Sequence, residues 1–182
     1  MIPTEEQVDA LWDKYRLPEP KRRHMALVEK VARFLGRRIA EKTHEFVHLP
    51  LLTAAALLHD IDKAVPKLPG EHHPDTAVRI LREEGMDEVA ELVRTHPLHA
   101  ILDPSLMPKT WEQKILYLAD KMVKYDIVSV DERFALWRAE QLPLDAKNIL
   151  DRSYPKVKLL EKEVFSLLGI TARDVGLLAL KS

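Results

Sequence analysis

Apolar residues recur at spacings of three and four along most of the chain, and prolines, glycines and capping residues cut that pattern into helical segments. Thr4 with Gln7 reads as a capping box opening a short helix that runs to about Tyr15, and Pro18 and Pro20 end it. A second helix is predicted from about Lys21 to Glu41, with His24, Leu27, Val28, Val31, Leu35 and Ile39 on one stripe. His44 and His48 fall in the loop that follows. Leu49 to Leu58 is apolar on every side, as a buried helix is, with Pro50 in its first turn; His59 and Asp60 stand side by side at its end. Beyond Lys63 a loop carries Pro66, Pro69 and Gly70, and His72-His73-Pro74-Asp75 reads as the next helix start, with His73 near the cap. Gly85 ends that helix and Asp87 caps another, whose stripe is Val89, Leu92, Val93 and His96 before Pro97 stops it.

Thr110 with Gln113 is a second capping box, and the helix after it sets Leu116, Ala119, Asp120 and Val123 on one face. A further helical region follows Pro143, interrupted or kinked near Pro155 and ending around Gly169, and Thr171 caps a last short helix. No strand-like alternation and no internal repeat is present. The pattern predicts an all-α, single-domain bundle of seven to nine helices over residues 1–182. Its motif-bearing part spans about 21–126, and a helical extension spans about 131–182. The stretch from about Leu142 to Leu168 is expected to close the bundle or to make a homodimer interface.

Three polar residues lie where these stripes should be apolar: His24, His96 and Asp120. A lone histidine there is more often a satisfied core residue than a ligand. An ionised carboxylate after Ile115-Leu116-Tyr117-Leu118-Ala119 is costly to bury unless it is paired, with Lys124 one turn on, or binds a metal. Taken with His59, Asp60 and His73, these residues come from separate segments, and one shared ion would satisfy them all. Mixed imidazole and carboxylate donors suit Mn, Fe, Co, Ni or Zn. Six donors exceed what one tetrahedral ion needs, so one or two divalent transition-metal ions are expected. A bound water acidified by them would serve as a hydroxide nucleophile.

Composition narrows the chemistry. The 182 residues hold no cysteine, which excludes disulfides, iron–sulfur clusters and thiol catalysis. With 28 Lys+Arg against 29 Asp+Glu, the charge balance argues against a nucleic-acid or anionic-membrane partner. Five glycines leave no phosphate-cradling glycine loop. No apolar run reaches the roughly 18 residues of a membrane span, and the N-terminus has no leader pattern, so the reading is cytoplasmic.

The order His24, His59-Asp60, Asp120 resembles the HD-domain metal-dependent phosphohydrolases. His59-Asp60-Ile61-Asp62-Lys63 looks like that family's central motif, His73 and His96 match the two further histidines of its dinuclear branch, and Ile115 to Lys121 resembles its final aspartate helix. The likeness covers about Arg22 to Val123. It is nearest to the bacterial branch that hydrolyses symmetrical dinucleoside tetraphosphates, including a later Val130-Asp131-Glu132. The chain departs from that branch at Asp62, at Pro97 and in Met122-Val123-Lys124-Tyr125-Asp126, which bears on the substrate pocket.

The resemblance implies that His24, His59, Asp60 and Asp120 hold one metal, and that Asp60 bridges to a second held by His73 and His96. It makes Asp60 and Lys63 the catalytic pair, with Lys63, Arg23 and Lys124 as phosphate-binding candidates. Arg22, Lys121 and Arg133 could equally be solvated. His72 and His99 read as structural, and Trp111, Trp137 and Tyr154 as core or interface. The expected partner is a small-molecule phosphate substrate, a nucleotide or dinucleotide. A non-catalytic metal- or nucleotide-binding sensor module and a plain helical interaction domain remain as alternatives.

Overall fold

The computed structural model describes residues 1–181, and its regular structure is helical. The α-helices are α1 (Glu5–Lys14), α2 (Glu19–Thr43), α3 (Leu49–Leu58), α4 (Asp75–Glu83), α5 (Asp87–Val93), α6 (Trp111–Asp120), α7 (Val130–Ala139), α8 (Leu144–Leu168) and α9 (Ala172–Leu178), with 3-10 turns at Ile61–Ala64 and Leu98–Leu102. Among the described residues the only extended pairing is one isolated bridge, Val123 with Ile127. The expected capping boxes at Thr4 and Thr110 are formed, Thr171 caps the last helix as expected, in a box with Asp174, and Ser129 with Glu132 adds another at the start of α7.

α3 is the hub. Leu52, Ala54, Ala55, Ala56 and Leu58 are buried, and α2, α5 and α6 pack around them. Gly36 lets α2 approach closely: a Cβ there would meet Leu49 and Leu52 side chains at 2.9 Å. Trp12 of α1 ties down the end of α3 by donating from Nε1 to Leu57 O at 2.8 Å. The consequence is that His59 and Asp60 leave a largely buried helix at a fixed point.

Several sequence-based boundaries shift, each for a physical reason. α2 starts at Glu19 rather than Lys21 and takes Pro20 into its first turn, where a missing N–H costs nothing. Pro74 rather than His73 occupies the cap of α4, and Met86 rather than Asp87 that of α5. α8 runs unbroken through Pro155. His96 lies past the end of α5, in the turn before Pro97, yet it is buried. No helix among the described residues is long and apolar enough to cross a membrane.

Candidate metal centre

Five segments converge around one cavity of about 490 Å³. The first turns of α2 bring His24, the α3 terminus brings His59 and Asp60, and the loop before α4 brings His73. The turn after α5 brings His96, and the last residue of α6 is Asp120. Asp120 Oδ1 is 3.1 Å from His24 Nε2 and 3.4 Å from His59 Nε2. Asp60 Oδ1 is 3.6 Å from His73 Nε2 and 3.9 Å from His96 Nε2. Two groups have donor atoms close enough to share an ion: His24, His59 and Asp60, and Asp60, His73 and His96. Asp60 belongs to both.

The imidazoles are wired for ligation. His59 Nδ1 donates to Ala56 O at 2.8 Å, and His96 Nδ1 donates to Val93 O at 2.6 Å. A carbonyl can only accept, so each Nδ1 carries the proton and Nε2 is left to face the centre. His73 Nδ1 lies 2.9 Å from the Asp62 carboxylate, which fixes the same tautomer. His73 Nε2 and His96 Nε2 then stand 3.0 Å apart, two acceptors facing each other. His59 Nε2 is buried with no hydrogen-bond partner. Such a set repels itself until a cation joins it, and a divalent metal fits the donors.

Electrostatics set the protonation of the metal-free chain. Burial and then the charges of neighbouring His59 and His73 hold His96 well below the ordinary imidazole range, so it stays a neutral donor. Burial opposes the charged form of His59, but Asp60 and then Asp120 overcome it and raise its proton affinity. Burial also opposes ionisation of Asp60 and Asp120. For Asp60 the charges of His59 and Lys63 prevail, and for Asp120 those of Lys121 and the two histidines. Both carboxylates therefore stay ionised.

The remaining expected residues sort by their contacts. Lys63 lines the cavity with Nζ 3.4 Å from Asp60 Oδ1. Lys124 lines it too, paired at 3.0 Å with Glu140 rather than with Asp120. The partner of Asp120 is Lys121, at 2.8 Å and fully buried, which also donates to His96 O at 2.5 Å. Arg23 is exposed and does not line the cavity, because one helical residue from His24 is a turn of about 100°. Arg22 is held by Asp13 and by Leu17 O. Asp62 does not line the cavity either; it stands behind His73.

Two cationic lining residues carry more weight than their sequence context suggests. Lys21 sits one turn before His24 on α2 and reaches Asp60 Oδ2 at 3.2 Å. Arg133 is 7% exposed and packs its guanidinium over Trp137 at 3.7 Å. Its signal was the one that picked out His24 and Asp120: Val130, Arg133, Phe134 and Trp137 recur at spacings of three and four, with a charged group in an inward place.

No curated protein and no solved structure matches the chain. A family model does: that of the HD domain, over residues 22–124, a span that holds His24, His59-Asp60, His73, His96 and Asp120. That match covers more than half of the chain, which therefore belongs to the HD-domain family, whose members are in general metal-dependent hydrolases.

Proposed function

We infer that the protein is a metal-dependent phosphohydrolase that cleaves a phosphate ester or phosphoanhydride of a nucleotide or dinucleotide polyphosphate. The observation that carries this reading is the convergence of imidazole Nε2 atoms, with His73 and His96 facing each other at 3.0 Å and His59 Nε2 unpartnered. In this proposal His24, His59, Asp60 and Asp120 hold one ion, and Asp60, His73 and His96 hold a second. When bound, divalent ions would supply an acidified water and positive charge for the phosphoryl oxygens.

The chain's own residues do the rest. Ala56 O, Val93 O and Asp62 keep three imidazoles in the ligating tautomer. Lys121 holds Asp120 from behind. Lys21 and Lys63, now on Asp60, are within reach of phosphoryl oxygens entering the cavity. The spacing of the six residues supports the symmetrical dinucleoside-tetraphosphatase branch as the finer reading. Asp62, a departure from that branch, supports His73 and is no obstacle in the cavity.

The test is metal analysis of the purified protein together with phosphate release from a panel of nucleotides and dinucleotide polyphosphates in Mn, Fe, Co, Ni or Zn. We expect bound transition metal, turnover abolished by chelator, and loss of metal and activity together in Asp60→Ala. A loss of several kcal/mol of charge stabilisation corresponds to about 100-fold or more in rate. Metal content unchanged in Asp60→Ala would refute the shared role of this carboxylate, and absence of turnover across the panel would refute the reaction.

A further inference from the structure

Arg133 is the one lining cation of the cavity for which the described residues offer no anionic partner. Lys21 and Lys63 pair with Asp60, and Lys124 pairs with Glu140. Arg133 Nε and Nη1 are buried without any hydrogen-bond partner. The side chain is held all the same. Val130 and Phe134 of the same helix are buried, and the guanidinium sits over the Trp137 ring at 3.7 Å. A buried, unpaired guanidinium is costly and persists in a fold only when something else requires it. Its planar fork matches phosphate oxygens in a way that a lysine ammonium does not.

Charge sets the size of the ligand. Lys21, Lys63, Lys124 and Arg133 line the cavity, opposed by Asp60 and Asp120. Two positive charges are thus in excess in the chain itself. A phosphomonoester carries about −1.5 to −2 near neutral pH. It would balance that excess alone, with nothing left for the cations that the histidine cluster calls for. A chain of two or more phosphoryl groups carries more negative charge and would offset part of the metal charge as well.

We propose that Arg133, backed by Trp137, is the receptor for a phosphoryl group of the substrate, and that the cavity is built for a phosphoanhydride rather than a phosphomonoester. This rests on the phosphohydrolase reading and deepens it. The recognition step involves no turnover, so it is tested apart from the reaction. Pyrophosphate sequesters divalent ions, so the titration belongs on metal-free protein.

Isothermal titration of inorganic pyrophosphate and of orthophosphate into the metal-free full chain is run for wild type, Arg133→Met and Arg133→Lys, with metal uptake and melting measured separately. Pyrophosphate should bind wild type more tightly than orthophosphate does. Arg133→Met should weaken pyrophosphate by about 10- to 100-fold, the worth of charge-assisted hydrogen bonds. Its metal uptake should be unchanged and its Tm equal or higher, because an unpaired buried charge is gone. Arg133→Lys should fall between, keeping the charge but not the fork. Equal pyrophosphate affinity in all three proteins, or no binding by any, overturns the receptor role. Orthophosphate binding as tightly as pyrophosphate overturns the anhydride preference. Should Arg133→Met not fold, Arg133→Lys with wild-type affinity overturns the proposal by itself.

Discussion

Asp62 is buried, with Oδ2 on the His73 Nδ1 hydrogen at 2.9 Å and Oδ1 without a partner. A carboxylate behind an imidazole fixes the ring's orientation and makes its far nitrogen a better donor. Removing it should therefore act on one group of donors and spare the other. We expect Asp62→Ala to bind metal about 10- to 100-fold more weakly at Asp60, His73 and His96, while His24, His59 and Asp60 keep theirs. Asp62→Asn, which can still accept from Nδ1 but has lost the charge, should be intermediate. Chelator competition read by elemental analysis checks this; two equally tight ions in Asp62→Ala would sink the positioning role. From the sequence, Asp62 read as an oddity at the substrate pocket. Its neighbours in the chain could not reveal that the 3-10 turn Ile61–Ala64 turns this side chain away from the cavity and onto a histidine eleven positions later. Arg23 and Lys21 tell the same story. Both are basic and close to His24, and only the helical angle decides which of them meets Asp60.

At the scale of elements, the segment before α4 is what presents His73, and Glu71 anchors it. Its carboxylate accepts from Arg79 Nε at 2.6 Å, from Leu68 N at 2.8 Å and from the Thr76 hydroxyl at 2.8 Å. The bonds from Arg79 first, then Leu68, lower its pKa to about 2 from an ordinary 4.5. The folded value is depressed, so the anchor's contribution is complete above the unfolded pKa and is lost as pH falls from about 4.5 to about 2. The protection of the non-proline amides in 66–74, corrected for the intrinsic pH dependence of exchange, should fall in that window, and Glu71→Gln should already show lower protection at neutral pH. An acid profile identical in Glu71→Gln would show that another group carries the effect. The ends of most elements were legible, because capping pairs, prolines and a terminal glycine are local chemistry: Thr4 with Gln7, Thr110 with Gln113, and Gly169 at a positive φ of 65°. What failed was the reading of the longer apolar pattern. His96 continues the stripe of α5 in spacing, yet the helix stops at Val93, and the imidazole is turned inward by its bond to Val93 O. Pro155 is tolerated inside α8, where context outweighs propensity.

At the scale of the molecule, the family match ends at residue 124, but the core does not. One cluster of buried apolar side chains runs from Val8 to Ala179 and takes in Phe134, Leu150, Val157 and Val164. α8 packs on the 3-10 turn Leu98–Leu102, where Ser153 and Tyr117 both bond Leu98 O, at 3.4 and 2.8 Å. Leu98 in turn is part of the cavity wall, as is Arg133 from α7. The stretch after 124 is thus built into the site, which composition and periodicity alone could not disclose: amphipathic helices advertise that they bury a face, and not what they bury it against. Because core and cavity share these residues, the chain should unfold in a single transition. Phe134 is fully buried between Trp137 and Tyr154, with ring centroids at 5.3 and 5.1 Å. Phe134→Ala should cost about 3–5 kcal/mol, seen as one displaced denaturant midpoint with far-UV signal and tryptophan fluorescence still coincident. It should also weaken metal retention under mild denaturant, since loosening α7 opens the wall beside Asp60 and Asp120. Two separated transitions, with metal retained through the first, would mean instead that residues 125–181 fold apart from the part that carries the histidines.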